Sequence, residues 1–165
     1  MNAPMRVLVL AASRHGSTTE IAGAVAVRLR ERGHHVDVAD LAEVSLPTGY
    51  DAVVIGSAVY AGNWLKVARD FVRRNGEALA AERVWLFSSG PLDDPGSEVL
   101  TAAKLDELMS ATGALGHHVF AGRLDRSELS RTERLLTKVV HAPDGDFRDW
   151  DDVTRWSDEI ADALV

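Results

Sequence analysis

The chain contains no cysteine. Disulfides, thiolate zinc sites, iron–sulfur clusters and a cysteine nucleophile are therefore excluded, and the absence fits a reducing compartment. No apolar run approaches the length of about 18 residues that a membrane helix requires. A basic excess is missing too: 18 Lys and Arg stand against 25 Asp and Glu, a net charge of −7, so nucleic acid is not an expected partner. The opening Met1-Asn2-Ala3-Pro4-Met5-Arg6 runs straight into a strand pattern and lacks the layout of a signal peptide. These absences describe a soluble protein with a cytoplasmic location as the default. At 165 residues the chain suits one domain, residues 1–165, with no linker, internal repeat or low-complexity stretch.

Several familiar signatures are absent as well. The first glycine-containing loop lacks the Gly-Lys-Ser/Thr of a Walker A loop and the three glycines of a dinucleotide fold. A receiver domain would place acidic residues where Ala11, Ala12 and Ser57 stand. No G-x-S-x-G elbow marks a hydrolase. His34-His35 and His117-His118 do not suggest a metal, because neighbours on a strand face opposite ways, and both pairs are expected at strand starts. Asp144 and Asp146 read as part of a turn before a final helix capped by Asp149.

What is present is alternation. Val7–Ala11, Ala52–Gly56 and Val84–Phe87 are continuous apolar runs, as in strands buried on both faces of a parallel sheet. Val119–Gly122 is a weaker run, and Val36–Ala39 reads as an edge strand. Helical spacing appears from Ile21 to Leu29, from about Trp64 to Arg74, from about Ser97 to Thr112, and from about Asp149 to Leu164, where Trp156 joins the core stripe. Trp150 is expected to pack in the first turn of that last helix. The order implies an α/β fold with a five-stranded parallel sheet, order 2-1-3-4-5, and helices on both faces. The stretch from about Asp125 to Arg148 is the least regular.

In such a sheet ligands bind beyond the carboxyl ends of the strands, where strand order reverses. Three loops lie there. The first holds Ser13, Arg14, His15, Gly16, Ser17 and Thr18. A helix start offers unpaired amides and a partial positive charge, which suits a phosphate. The alternative is a capping box, in which Ser17 caps the helix and Glu20 reaches back. With a phosphate present, Glu20 should point away. The second loop holds Ser57, Ala58, Val59 and Tyr60, then Gly62, Asn63 and Trp64. Aromatic rings beside a phosphate cradle suit a planar heterocycle. Trp64 reads equally well as the first core residue of the next helix. The third loop holds Ser88, Ser89, Gly90, Leu92 and Asp93, with Pro91 between. Arg123 and Arg126 follow the last strand and could pair with an anionic substrate.

With these segments in view, "SRHGST" after the first strand, "SAVYAGNW" after the third and "SSGPLDD" after the fourth resemble the three flavin loops of the flavodoxin family. Within it, "VLAASRHGSTTEIA", "YDAVVIGSAVYAGNWLKVARDFVRRN" and "DWDDVTRWSDEIADAL" look most like the menaquinone-dependent protoporphyrinogen oxidase subgroup. The resemblance implies a flavodoxin-like three-layer sandwich. It implies FMN as the cofactor, with its phosphate on Ser13–Thr18 and its ring between Tyr60–Trp64 and Ser89–Asp93. The implied activity is two-electron dehydrogenation, with electrons passing to a quinone or similar acceptor. The alternative is a flavodoxin-type carrier docking to redox partner proteins. The third loop holds no aromatic, which leaves one ring face open to a substrate and favours an enzyme. No catalytic acid or base is assigned, Tyr60 and His15 being the nearest titratable groups. Peripheral membrane contact is left open.

Overall fold

The computed structural model describes residues 3–14, 16–45, 47–90, 100–121, 123–124, 145–146 and 148–165, with the backbone alone at 123–124 and 145–146. The expectations for His15, Leu92, Asp93 and Arg126, for the Arg123 side chain, and for most of the 125–148 stretch fall outside these residues.

The apolar runs form the sheet. Strands β1 (Arg6–Ala12), β2 (His35–Asp40), β3 (Ala52–Tyr60), β5 (Arg83–Gly90) and β6 (Gly116–Ala121) are all parallel and lie in the order β2-β1-β3-β5-β6. Counting the parallel strands alone, this is 2-1-3-4-5. The chain turns one way from β1 to β2 and the other way from β3 onward, so strand order reverses between β1 and β3. A two-residue strand, β4 (Asn63–Trp64), folds back antiparallel on β3. A short pair, β7 (Arg123–Leu124) with β8 (Gly145–Asp146), stands apart from the main sheet.

The helices are α1 (Ser17–Glu31), α2 (Lys66–Arg74), α3 (Gly76–Ala80), α4 (Ala102–Thr112) and α5 (Trp150–Ala163). Alternation along each strand divides the core between two faces. Val7, Val9, Val54, Trp85 and Phe87 pack with Ile21, Val25 and Leu29 of α1 and with Trp156 and Ile160 of α5. Leu8, Leu10, Val53, Ile55 and Leu86 pack with Phe71 and Val72 of α2, Leu79 of α3 and Leu108 of α4. Among the described residues no helix is long and apolar enough to cross a membrane.

The outer ends of the two helices on the first face are tied by charge. Arg28 grips Asp158 through Nε at 2.7 Å and a second guanidinium nitrogen at 3.1 Å, and Arg32 reaches the same carboxylate at 2.8 Å. These cations hold the Asp158 carboxyl below its ordinary range. Under the carboxyl end of the sheet the same face carries an aromatic box. Phe87 meets Phe120 and Trp156 edge-on, with ring centroids 5.7 and 5.8 Å apart. Gly56 is what admits Phe87 beside β3: a Cβ there would sit 1.9 Å from the Phe87 ring tip.

Two boundaries and the burial of one residue differ from the sequence reading. Trp64 opens no helix but sits in β4, and α2 begins at Lys66. Helix α4 begins at Ala102, five residues later than expected, where the Thr101 hydroxyl accepts from the Lys104 amide at 3.3 Å. Trp150 is 42% exposed rather than packed, with the Arg148 guanidinium 4.7 Å over its ring. Asp149 does cap the last helix, accepting from the Asp151 and Asp152 amides at 3.0 and 3.2 Å.

Candidate functional site

Register brings the three loops together. Ala12 pairs with Ser57, Ser57 with Ser88, and Gly90 with Ala121, so the segments that follow β1, β3 and β5 open at the same end of the sheet.

The first loop is shaped by Ser13 and Gly16. The Ser13 hydroxyl accepts from the Gly16 amide at 2.9 Å. Gly16 adopts φ 88° and ψ −13°, a left-handed conformation that glycine enters without steric cost. That turn starts α1 one residue early. Ser17 becomes the first helical residue, and Gly16, with no side chain, stands at the capping position. The alternative reading, a capping box of Ser17 and Glu20, is not what forms: the capping position is Gly16, and among the described residues no side-chain hydrogen bond caps the helix. The helical bonding begins with the Glu20 amide on the Gly16 carbonyl at 3.0 Å, so the amides of the first turn have no acceptor inside the helix. The Glu20 carboxylate is ion-paired with Arg148. The positive end of the helix dipole faces the loop.

The second loop is a hairpin. Tyr60 pairs with Asn63, and the two residues between them, Ala61 and Gly62, have φ of 54° and 77°. Two positive φ values in a two-residue connection are the mark of a type I′ turn. Ala61 is the unusual member, since residues with a Cβ rarely adopt that conformation.

The hairpin is clamped from beneath. Ser57 and Ser88 are fully buried. The Ser57 hydroxyl donates to the Ala58 carbonyl at 2.8 Å and accepts from the Leu65 amide at 3.1 Å. The Trp64 indole Nε1 donates to the Ser88 hydroxyl at 2.8 Å, and Arg69 Nε donates to the Trp64 carbonyl at 3.1 Å. At the tip, the Thr101 amide reaches the Gly62 carbonyl at 3.4 Å, so the start of α4 also holds the turn. Trp64 is 1% exposed and belongs to the core, whereas Tyr60 stays half-buried at the rim.

Arg14 links the first two loops, its guanidinium carbon lying 4.8 Å from the Tyr60 ring centroid. A cation over a phenol face is a favourable contact. In the third loop Ser89 is buried, 5% exposed, and Gly90 ends β5.

One residue entered the site unannounced. His117 and His118 do face opposite ways and lie near the start of β6, as expected, but that start is offset along the sheet. Strand β6 is staggered so that Gly116 already pairs with Trp85, and His117 lies opposite Leu86. His117 Nε2 is 2.8 Å from the Ser88 hydroxyl, beneath the hairpin. Burial, and after it the neighbouring His118, pushes His117 down to about 4. His118 belongs to the other face, 2.9 Å from Asp152 and stacked on Trp156 with ring centroids 5.8 Å apart. Counting along "GHHVFAG" could not reveal this, because only the offset of β6 against β5 sets it.

A doubly wound parallel sheet with an open helix start and an aromatic-bearing hairpin at its point of strand reversal defines the flavodoxin class of α/β proteins. The chain belongs to the flavodoxin domain family, whose model matches residues 8–151. Among curated proteins it is similar to the protoporphyrinogen IX dehydrogenase [quinone] of Escherichia coli strain K12, 25% identical over 181 aligned residues and covering 95% of each chain. Among solved structures it is similar to oxidised flavodoxin 1 from Bacillus cereus, with a TM-score of 0.64 and 16% identity over 97% of this chain and 99% of that one. It also matches the rubredoxin:oxygen oxidoreductase of Desulfovibrio gigas, TM-score 0.64 and 13% identity, where it spans 36% of that longer chain.

Proposed function

We propose that the chain binds FMN non-covalently and acts as an oxidoreductase, carrying out two-electron dehydrogenation with a quinone or similar acceptor. The observation that carries this reading is the start of α1. Gly16 takes the capping position in a left-handed turn, a Cβ there would meet no described residue within 4 Å, and Tyr60 stands across from it through Arg14. A ribityl phosphate suits the first-turn amides and the Ser13–Thr18 hydroxyls. A flat ring suits the surface between the Tyr60 hairpin and the segment after β5. When bound, the flavin supplies the two-electron redox chemistry.

The chain's own residues then have distinct tasks. Gly16, Ser17 and Thr18 would hold the phosphate, with Ser13 fixing the turn from which they project. Tyr60, Gly62 and Asn63 would border the ring. Ser57, Ser88 and Trp64 hold that border in place from below rather than offering hydroxyls to the ligand. Arg14 spans the two segments and brings a positive charge to the rim. No side chain is assigned as acid or base.

Support for an enzyme comes from the likeness to the Escherichia coli dehydrogenase over nearly the whole chain. Support for the second reading, an electron carrier that docks to redox proteins, comes from the equally complete likeness to the Bacillus cereus flavodoxin. An anaerobic experiment separates the two. The FMN-loaded protein is mixed with protoporphyrinogen IX, and then with menadione. Bleaching of the flavin absorbance by the donor and its return with the quinone match the enzyme. Reduction and reoxidation only by redox proteins match the carrier. A protein that stays colourless after equilibration with excess FMN contradicts both.

A further inference from the structure

The row Trp64–Ser88–His117 crosses three strands and ends on a half-buried histidine that the proposed redox role does not use. Its hydrogen positions follow from chemistry. An indole Nε1–H can only donate, so the Ser88 oxygen accepts from Trp64 at 2.8 Å. Ser88 has one hydrogen of its own, and His117 Nε2 lies 2.8 Å from the same oxygen. Ser88 and Trp64 are 0% and 1% exposed, so no solvent competes for that hydrogen. With the hydroxyl donating to it, Nε2 must carry a lone pair, and the imidazole proton must sit on Nδ1. The order is then Trp64 Nε1–H to Ser88 O–H to His117 Nε2, each group giving one hydrogen in the same direction.

We infer that His117 is a positioning residue for the ligand-facing hairpin: its Nε2 orients the Ser88 hydroxyl, which holds the Trp64 indole and through β4 sets where Tyr60 stands. The mechanical path is short. Trp64 is half of the two-residue strand β4 and pairs with Val59, and Asn63 pairs with Tyr60. Loss of the acceptor on β6 leaves a buried hydroxyl hydrogen with no partner, and the serine then turns to seek one. The indole loses a directed acceptor, and the Ala61–Gly62 turn loses its deepest anchor. A proton on Nε2 has a similar effect, since it puts two donors against one oxygen and strands the hydroxyl hydrogen. Burial, which pushes His117 down to about 4, keeps that form away near neutral pH.

The link from hairpin to cofactor rests on the FMN reading, whereas the hydrogen-bond row does not, and the test keeps them apart. In ligand-free wild-type protein, ¹⁵N spectra of the histidines report the tautomer directly. His117 is expected with its proton on Nδ1, and a proton on Nε2 overturns the row without any variant having to fold. In the same protein the Trp64 indole resonance, assigned by its loss in Trp64→Phe, is expected to move in Ser88→Ala and His117→Leu. It should return in His117→Gln, whose carbonyl oxygen can replace Nε2 as acceptor. An unmoved indole in His117→Leu, or no recovery in His117→Gln, overturns the proposal. The FMN dissociation constant is expected to rise about tenfold in Ser88→Ala and His117→Leu, and to come back to within about threefold in His117→Gln. Unchanged FMN affinity in His117→Leu overturns the link to the ligand site. If wild type itself binds no FMN, the cofactor reading fails, and the tautomer and indole results still decide the role of His117 in the hairpin.

Discussion

The loop after β1 and the hairpin after β3 are held in shape in opposite ways. Beneath the hairpin two serines, Ser57 on β3 and Ser88 on β5, turn inward. Ser57 and Ser88 are buried, and each bonds twice to the protein. In the first loop Ser13 spends its hydroxyl on shaping the turn, and the residue at the helix start is a glycine with no side chain to place there. One segment is stiffened by hydroxyls beneath it, and the other has at its helix start a residue with no hydroxyl. A serine beside a ligand site can thus shape the scaffold rather than meet the ligand.

The largest effect is expected where a side chain is added at that helix start. Among the described residues a Cβ on Gly16 would meet nothing within 4 Å, and aspartate tolerates the left-handed conformation better than most residues. Gly16→Asp should place a carboxylate on the first-turn amides, where a phosphate would otherwise lie. The FMN dissociation constant should then rise by about a hundredfold or more, while the unfolding midpoint in denaturant stays level or climbs. Parallel losses of binding and stability would mean that the loop is merely damaged.

A lesion beneath both segments should spare neither. Gly56→Ala drives a methyl into the Phe87 ring, and the ring is already held by Phe120 and Trp156. Urea unfolding should show a loss of about 2–3 kcal/mol. A change of a few tenths would show that the aromatic box is looser than its geometry.

A smaller effect concerns pH and the anchor of the hairpin. His117 is lowered to about 4 in the fold from an ordinary value of 6.5. As pH falls below 6.5 the unfolded chain takes up a proton that the folded chain refuses. The stability associated with a neutral His117 is therefore complete above that point, and drains away until about pH 4. Between about pH 7 and about pH 5, His117→Gln should lose less stability than wild type. The carboxylates held low, Asp70 and Asp158, are common to both proteins and cancel in the difference. Equal losses would show that His117 takes its proton readily in the folded state.

The smallest effect is at the turn. Ala61 carries φ 54° where a type I′ turn prefers asparagine or glycine. Ala61→Asn should stabilise the protein by about 0.5–1 kcal/mol in thermal or urea unfolding, with FMN affinity held or slightly improved. Destabilisation would mean that the alanine methyl makes a contact worth more than the strain.

The contrast between the two loops also marks where sequence reasoning stopped. Val7–Ala11, Ala52–Gly56 and Val84–Phe87 were readable as buried strands, because sides both covered by helices leave no room for polar residues. The open end of the sheet followed from strand order. The hairpin was not readable. Its turn is Ala-Gly rather than the Asn-Gly that announces a type I′ connection, and Trp64 fits the apolar spacing of the helix that follows. At the start of α1 the sequence left two readings, because Ser17-Thr18-Thr19-Glu20 carries the text of a capping box, and the left-handed φ of Gly16 at the capping position decides against that alternative. His117 depended on the stagger of β6 against β5, a tertiary quantity with no local trace.

The most direct measurement compares FMN with riboflavin, which has the same ring and no phosphate, by calorimetric or fluorescence titration of the ligand-free protein. If the first-turn amides of α1 receive the phosphate, FMN binds at least about a hundredfold more tightly than riboflavin, and Gly16→Asp removes most of that difference. Equal affinities for the two ligands, or no binding of either, would contradict the account.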